Sequence, residues 1–262
     1  MKALLLAGGV GSRLKPYTNE LPKCLMPING VPLLGYWLSA LKKTNITSIL
    51  INLHHHADLV SNYLIKSNIG APVTTVYESD LLNTGGTLLA NREFFDKSSI
   101  MLIHADNICL ANLSKFINVY KERPVGVSMT MMTFETPTPE SCGIVKLDEN
   151  GLIQEFYEKV NNPPNNLANA GVYILENSIF NCLEKLGQKK IDFSIDVIPK
   201  LLGKINTYHN DVYHRDIGTI ESLKLVQKHD YSSINMQEFN GIEVNQSLPL
   251  EKQITSLSKI LK

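Results

Sequence analysis

Short apolar runs alternate with helical patterns through the first half of the chain, and this alternation limits the fold more than any other feature. The predicted elements are strands at Ala3–Leu6, Ser48–Leu53, Val73–Tyr77 and Ser99–His104, with helices between them at Leu33–Lys43, Ala57–Lys66 and Gly86–Phe95. This rhythm is typical of a parallel sheet covered by helices on both faces. The sequence therefore predicts an α/β, Rossmann-like three-layer fold with a mostly parallel mixed sheet.

After Asp106 the pattern changes to a small β insertion. It comprises strands at Val125–Thr133 and Gly171–Leu175, a hairpin of Gly143–Leu147 with Ile153–Glu158, and then a helix at Phe193–Leu202. Residues 1–228 are predicted to form one domain, and 229–262 a C-terminal helical appendage. The sequence shows no hexapeptide repeat, so no β-helix domain is expected.

Charge and composition limit the partners. Lys and Arg together number 25, as do Asp and Glu. Without net positive charge, neither nucleic acid nor an anionic membrane is an expected partner. No run approaches the ~18 apolar residues of a membrane helix, and the apolar stretch Ala3–Ala7 is too short for a secretory signal. The cysteines, Cys24, Cys109, Cys142 and Cys182, form no CxxC pair, which argues against a zinc site or disulfide scaffold and predicts a cytoplasmic location.

A glycine-rich loop follows the first strand. Its glycines let backbone N–H groups approach a phosphate closely, although a tight strand-to-helix turn is the better explanation of the glycines alone. The GxGxxG fingerprint fails because Leu14 stands at the third glycine position, and no Gly-Lys-Ser/Thr of a Walker A loop follows.

Two cations come next. Arg13 offers a planar fork for phosphate oxygens, and Lys23 offers a compact charge on a segment stiffened by Pro22 and Pro27. The whole string, GGVGSRLKPYTNELPKCLMPING, resembles the opening signature of the sugar-1-phosphate nucleotidyltransferases (sugar-nucleotide pyrophosphorylases). The resemblance implies that Arg13 and Lys23 contact the nucleotide's phosphates and stabilise the departing pyrophosphate. It also implies nucleotide contacts from Leu6, Ala7, Gly8, Gly9, Gly11 and Ser12.

Two aspartates follow the family's metal-binding pattern. Asp106 ends an apolar strand, where a turn former or helix cap is the ordinary interpretation. The block Arg215–Glu221 resembles the family's aspartate–glycine–threonine motif, and Thr219 is also placed to cap a helix at Ile220–Lys228. The resemblance implies that Asp106 and Asp216 hold Mg²⁺, which favours carboxylates together with water and phosphate oxygens.

The segment Val76–Leu88 resembles the family's base-reading block, which implies nucleotide contacts from Glu78, Asn83, Thr84 and Gly85. Asn83 stands where glycine is usual. Glu78 stands where uridylyl- and thymidylyltransferases tend to carry glutamine. A carboxylate only accepts hydrogen bonds, and guanine presents adjacent donors, so Glu78 favours guanine. The alternative is that Glu78 is a solvated strand-end residue.

The residues expected to bind the sugar 1-phosphate lie in the β insertion. Short blocks around Gly143, around Glu158 with Lys159, and around Asn169 follow the family's order and spacing. The resemblance implies that Glu158 and Asn169 meet sugar hydroxyls and Lys159 meets the sugar phosphate.

The consecutive histidines His54–His56 resemble a metal tract, but on an extended backbone their side chains point alternately, so they are interpreted as loop residues.

The expected reaction is attack by a sugar 1-phosphate on a nucleoside triphosphate, with Mg²⁺ bound, to supply cell-surface polysaccharide precursors. GTP with a mannose- or heptose-type sugar is favoured, and UTP, dTTP or CTP is the alternative. A non-catalytic sugar-nucleotide-binding subunit is a further alternative. It would be expected to have lost one of Arg13, Lys23, Asp106 and Asp216, and all four are present. A homodimer formed through the C-terminal segment is a further possibility.

Overall fold

The computed structural model describes residues 1–231 and 241–262. Its strands are β1 (Lys2–Leu6), β2 (Pro27–Ile28), β3 (Val31–Pro32), β4 (Ile49–Leu53), β5 (Val73–Tyr77), β6 (Ile100–His104), β7 (Asn107–Cys109), β8 (Met129–Glu135), β9 (Gly143–Leu147), β10 (Ile153–Glu158), β11 (Leu167–Leu175), β12 (Ile205–His209) and β13 (His214–Asp216). Its α-helices are α1 (Leu33–Lys42), α2 (Ala57–Ile65), α3 (Asn83–Ala90), α4 (Arg92–Phe95), α5 (Leu113–Lys121), α6 (Ile179–Lys185), α7 (Ile220–Val226) and α8 (Leu250–Leu261).

The chain divides into two compact units. The first unit comprises Met1–Leu4, Asp80–Ile103 and Ala111–Val212, and the second comprises Leu5–Ser79, His104–Leu110 and Tyr213–Lys262. The boundary predicted at residue 228 stays a prediction, and part of the predicted appendage, 232–240, lies outside the described residues.

Most of the strands in the described residues form mixed and parallel sheet. In the first unit the strand order is β10-β9-β11-β6, and β8 pairs antiparallel with β11 and parallel with β12. In the second unit β4 pairs in parallel with β5. Every residue of β4 is buried, as expected for a strand covered on both faces. The predicted α/β, Rossmann-like fold with a mixed sheet is confirmed.

Some predicted elements differ in the structure. The single helix expected at Gly86–Phe95 is two helices, α3 and α4, because the backbone leaves helical geometry at Asn91 (φ −110°, ψ 23°). The helix expected at Phe193–Leu202 is a turn of π-helix followed by a 3-10 turn, since Pro199 lacks the N–H that a continuous helix needs. The strand expected at Val125–Thr133 begins only at Met129, after a turn in which Gly126 has φ +89°.

The C-terminal helix α8 belongs to the second unit and packs against α2 and β2. It buries Ile254, Leu257 and Leu261, and their spacing of three and then four residues places all three on one helix face. Its last turn is fixed by Asn62, whose Nδ2 donates to the Leu261 carbonyl at 2.8 Å. Across the described ranges, no helix combines the length and apolar character needed to span a membrane.

Candidate active site

The glycine loop after β1 is fixed at both ends within the second unit. At its start, the Ala7 N–H donates to the buried amide oxygen of Asn52 at 2.8 Å. At its end, Gly11 has φ +62° and its carbonyl accepts from the Thr18 hydroxyl at 3.0 Å. A Cβ at Gly11 would lie 2.9 Å from Thr18 Cγ2 and 3.3 Å from Lys23 Cβ. Glycine is therefore required where this loop packs on the segment that carries Lys23.

Lys23 joins the two predicted metal ligands. It lies on a short 3-10 turn after Pro22, and its side chain is only 7% exposed. Its Nζ donates to Asp106 Oδ2 at 2.9 Å and to Asp216 Oδ1 at 2.6 Å. The antiparallel pairing of β7 with β13 sets Asp216 opposite Asn107, which explains how residues far apart in the chain meet at one ammonium group.

The charges in this cluster stabilise one another. Burial lowers the Lys23 pKa, but the charges of Asp106 and Asp216 outweigh it and the net pKa is raised. Burial raises the Asp106 pKa, but the Lys23 ammonium, with a smaller effect from His104, holds the net pKa below its usual value. Both shifts favour the charged forms, so a protonated Lys23 faces an ionised Asp106 at neutral pH.

Arg13 and Asp216 both lie close to the backbone of Gly218. A Cβ at Gly218 would lie 2.7 Å from Asp216 Oδ2 and 2.9 Å from Arg13 Nη2. The absence of a side chain at Gly218 therefore lets the guanidinium and the carboxylate converge. This role was not predicted, although the Asp216–Thr219 motif contained the signal.

Glu78 follows β5 and is buried, with 6% of its surface exposed. Its N–H donates to the Leu53 carbonyl at 2.9 Å, and its own carbonyl lies 2.7 Å from His54 Nδ1. Burial contradicts the alternative interpretation of a solvated strand-end residue. Burial fixes where Glu78 lies but does not show that a nucleotide base contacts its carboxylate. The base contact therefore stays a prediction.

The other predicted base-reading residues lie in the first unit, at the start of α3. Asn83 has φ +62°. The Thr84 hydroxyl accepts from the Phe193 N–H at 2.7 Å, and the Gly85 N–H donates to the Ile191 carbonyl at 2.9 Å. These two groups therefore have partners inside the protein, and Asn83, which stands where the family usually has glycine, has a left-handed backbone.

The predicted sugar-side residues meet on neighbouring strands of the first unit. Glu158 on β10 pairs with Gly143 on β9, and a Cβ at Gly143 would lie 2.7 Å from Glu158 Oε2. Lys159 Nζ lies 3.1 Å from Glu158 Oε1 and is 66% exposed. The structure thus brings a carboxylate and an accessible ammonium together, and the side chains of Phe156 and Glu158 fill the space over Gly143.

Asn169 lies on β11 beside these two strands, because β11 pairs with β9 at Ala168 and Ile144. Its Oδ1 accepts from the Gly171 N–H at 2.9 Å, and its Nδ2 donates to the Tyr173 hydroxyl at 2.7 Å. Burial raises the pKa of Tyr173, with a further contribution from the charge of Glu158. Asn169 is therefore held in a fixed orientation, and one amide hydrogen and one lone pair remain for a ligand.

A family model described as nucleotidyl transferase matches residues 2–233. The chain belongs to this family. The resemblance stated from the motifs is thereby confirmed.

Three relatives of this nucleotidyl transferase show the range of proteins to which it is similar. A mannose-1-phosphate guanylyltransferase of Mycobacterium tuberculosis is 28% identical over 84% of this chain and 62% of its own length. A glucose-1-phosphate adenylyltransferase of Clostridium beijerinckii is 28% identical over 95% and 72%. The crystal structure of HddC from Yersinia pseudotuberculosis, complexed with GMP-PN, is 25% identical, with a TM-score of 0.72 over 86% of this chain and 97% of that one. The chain spans 52% to 63% of the length of the first curated relatives it matches.

Members of the nucleotidyl transferase family generally use a divalent metal ion. The side chains of Asp106 and Asp216 are 35% and 54% exposed, so each has carboxylate oxygens open to solvent. Within the ranges 1–231 and 241–262, no group of three or more His, Cys, Asp or Glu side chains is placed to hold a metal. Mg²⁺ commonly binds through one or two carboxylates together with water and substrate phosphates, and the two aspartates fit that requirement.

Proposed function

We propose that this nucleotidyl transferase moves a nucleoside monophosphate from a nucleoside triphosphate to a sugar 1-phosphate and releases pyrophosphate. One observation carries the proposal: a buried, charged Lys23 that bridges two carboxylates beside a glycine loop. This arrangement suits a substrate rich in phosphate oxygens and does not resemble a nucleophile–base pair. The printed names of the relatives, which pair a nucleotide with a sugar 1-phosphate, support the same reaction.

The chemistry requires alignment more than acid–base catalysis. An oxygen of the sugar phosphate attacks the α-phosphorus, and the bond from that phosphorus to the departing pyrophosphate breaks. Arg13 and Lys23 hold the phosphates and stabilise the charge that develops on the leaving group. Asp106 and Asp216 would hold Mg²⁺, which supplies neutralising charge when bound. Glu158, Lys159 and Asn169 orient the sugar phosphate.

We favour GTP as the nucleotide and a mannose- or heptose-type sugar 1-phosphate as the acceptor. Glu78 is a buried carboxylate, and it can accept from the N1–H and N2–H₂ donors of guanine. Uracil and thymine offer a single donor, N3–H, between two carbonyl oxygens, so the second carboxylate oxygen would face a buried acceptor at a cost of ~1–3 kcal/mol. The guanylyltransferase name of the Mycobacterium relative agrees with this choice.

Adenylyl transfer is a second candidate, because the Clostridium relative with the greater coverage is named as a glucose-1-phosphate adenylyltransferase. Uridylyl, thymidylyl and cytidylyl transfer are the remaining alternatives. A cytoplasmic location and a homodimer complete the proposal as expectations.

A substrate panel tests the proposal. Wild-type protein is assayed for pyrophosphate release with GTP, ATP, UTP, dTTP and CTP, each against mannose 1-phosphate and glucose 1-phosphate. We expect the highest kcat/KM for GTP with mannose 1-phosphate, and a GTP-to-UTP ratio that falls about tenfold or more in Glu78→Gln, since the new amide supplies a donor. A wild-type preference for UTP, or an unchanged ratio in the variant, refutes the guanine assignment. Absence of turnover with every pair refutes the enzyme proposal and favours a binding subunit.

A further inference from the structure

Two neighbouring histidines, whose rings are tilted to one another, contact Thr18, which follows the glycine loop. His55 and His56 follow β4, and their ring centroids lie 4.1 Å apart. His55 Nε2 lies 2.7 Å and His56 Nε2 3.2 Å from the carbonyl oxygen of Thr18. A carbonyl oxygen cannot donate and has two lone pairs, so both rings carry a proton on Nε2 and donate to the same acceptor. The proposed chemistry gives these histidines no role.

Thr18 links the histidines to the phosphate loop. It is 1% exposed, and its hydroxyl donates to the Gly11 carbonyl at 3.0 Å. Its Cγ2 lies 2.9 Å from the position of a Cβ at Gly11, and Lys23 Cβ lies 3.3 Å from the same position. The histidine rings therefore limit the movement of Thr18, whose hydroxyl fixes the Gly11 carbonyl. Thr18 and Lys23 both lie close to Gly11, which has room for no side chain.

The backbone of His56 adopts an unfavourable conformation at the position where its ring contacts Thr18. His56 has φ +51° and precedes α2, but its side chain does not cap that helix. A left-handed backbone is uncommon outside glycine and persists where surrounding contacts fix it. Here the His56 ring contacts the Thr18 carbonyl, whereas the His56 carbonyl accepts from the Leu59 N–H of α2 at 3.1 Å. The side chain of His56 therefore holds the Thr18 segment and does not cap the helix.

We propose that His55 and His56 are positioning residues which hold Thr18, and through it the glycine loop and Lys23, in the arrangement that binds the triphosphate. The inference rests on the proposed function. Weakening the Thr18 contact should loosen the loop, so the KM for the nucleoside triphosphate rises, whereas the KM for the sugar 1-phosphate does not. A merely structural role would lower thermal stability and the active fraction without separating the two KM values.

The test compares two substitutions at His55. His55→Leu removes the donor, and His55→Gln restores an N–H at similar reach. We expect His55→Leu to raise the KM for GTP about five- to tenfold, the range for one lost hydrogen bond, with the KM for mannose 1-phosphate within about twofold of wild type. His55→Gln should return the GTP value to within about threefold. His209→Leu, an exposed histidine on β12 in the first unit, is the matched control and should match wild type.

Two outcomes overturn the inference: an unchanged KM for GTP in His55→Leu, or a His55→Gln enzyme as impaired as His55→Leu. If His55→Leu does not fold, Thr18→Val tests the next contact, because it removes the hydroxyl that binds Gly11 and keeps the shape; an unchanged GTP KM there also overturns it. Calorimetric titration of GTP with Mg²⁺ separates the two proposals. Lost affinity in His55→Leu, recovered in His55→Gln, supports the positioning role even where wild type shows no turnover.

Discussion

Replacing Lys23 by methionine isolates the charge on which the proposed chemistry depends. Methionine keeps the apolar stem and removes an ammonium that lies 2.9 Å from Asp106 and 2.6 Å from Asp216. The loss of one preorganised charge-stabilising donor reduces kcat by roughly 10²–10³-fold, or about 2.7–4 kcal/mol. Because Lys23 is 7% exposed, water cannot easily take its place, so we expect a loss within this range.

The same substitution has a smaller effect on stability. Two charge-assisted hydrogen bonds disappear, but the carboxylates are 35% and 54% exposed and recover water. We therefore expect a net loss of about 1–2 kcal/mol, which lowers Tm by about 2–8 °C for a chain of this size. Lys146→Met is the matched control: Lys146 Nζ lies 2.6 Å from Glu155 but is 56% exposed, so kcat and Tm should stay near wild type.

Steady-state kinetics of pyrophosphate release and thermal unfolding of both variants test the charge-stabilising role of Lys23. A Lys23→Met enzyme with kcat within about threefold of wild type refutes the charge-stabilising role. A loss seen only as a raised KM would mean that Lys23 binds the ground state and the transition state equally. A loss of kcat that Lys146→Met shares would point to a general effect of removing a lysine.

Further predictions follow from the same contacts. Asp106→Asn should remove most turnover while leaving the fold intact, and added Mg²⁺ should restore activity after EDTA treatment of the wild type but not of the variant. Gly218→Ala should lower kcat about tenfold or more, because its Cβ would lie 2.7 Å from Asp216 Oδ2 and 2.9 Å from Arg13 Nη2; wild-type turnover would contradict this. Gly30→Ala should cost about 1–3 kcal/mol in urea unfolding, since Gly30 has φ +82° and its Cβ would lie 2.4 Å from the Val244 carbonyl oxygen; an unchanged midpoint would count against it.

The elements with clear apolar patterns could be predicted from the sequence. β5, β9 and β10 have the predicted bounds, and β4 begins one residue later than expected. These strands are short apolar or alternating runs flanked by turn residues, which is the strongest local signal for a strand. The cap of α7 was also predictable, since the Thr219 side chain accepts from the Ser222 N–H at 3.1 Å, as a threonine before a helix is expected to do.

The pairing that builds the candidate site could not be predicted in the same way. β7 and β13 have three residues each, and their register sets Asp216 against Asn107. Segments of this length carry too little pattern to identify a strand or its partner. The motifs indicated which residues matter, but only the fold shows that Lys23 contacts both carboxylates. The internal partners of Thr84 and Gly85 likewise depend on a segment more than 100 residues away along the chain.

Asn83 shows how asparagine can occupy a backbone conformation that suits glycine. The family usually has glycine at this position, and the structure gives Asn83 φ +62°, a conformation that glycine adopts without strain. Asparagine is among the residues best tolerated there, because its short side chain can hydrogen-bond locally. The exchange therefore keeps the backbone conformation and adds an amide at the start of α3. A β-branched residue at the same position would be strained in the left-handed region, so this position in the chain suits glycine or asparagine.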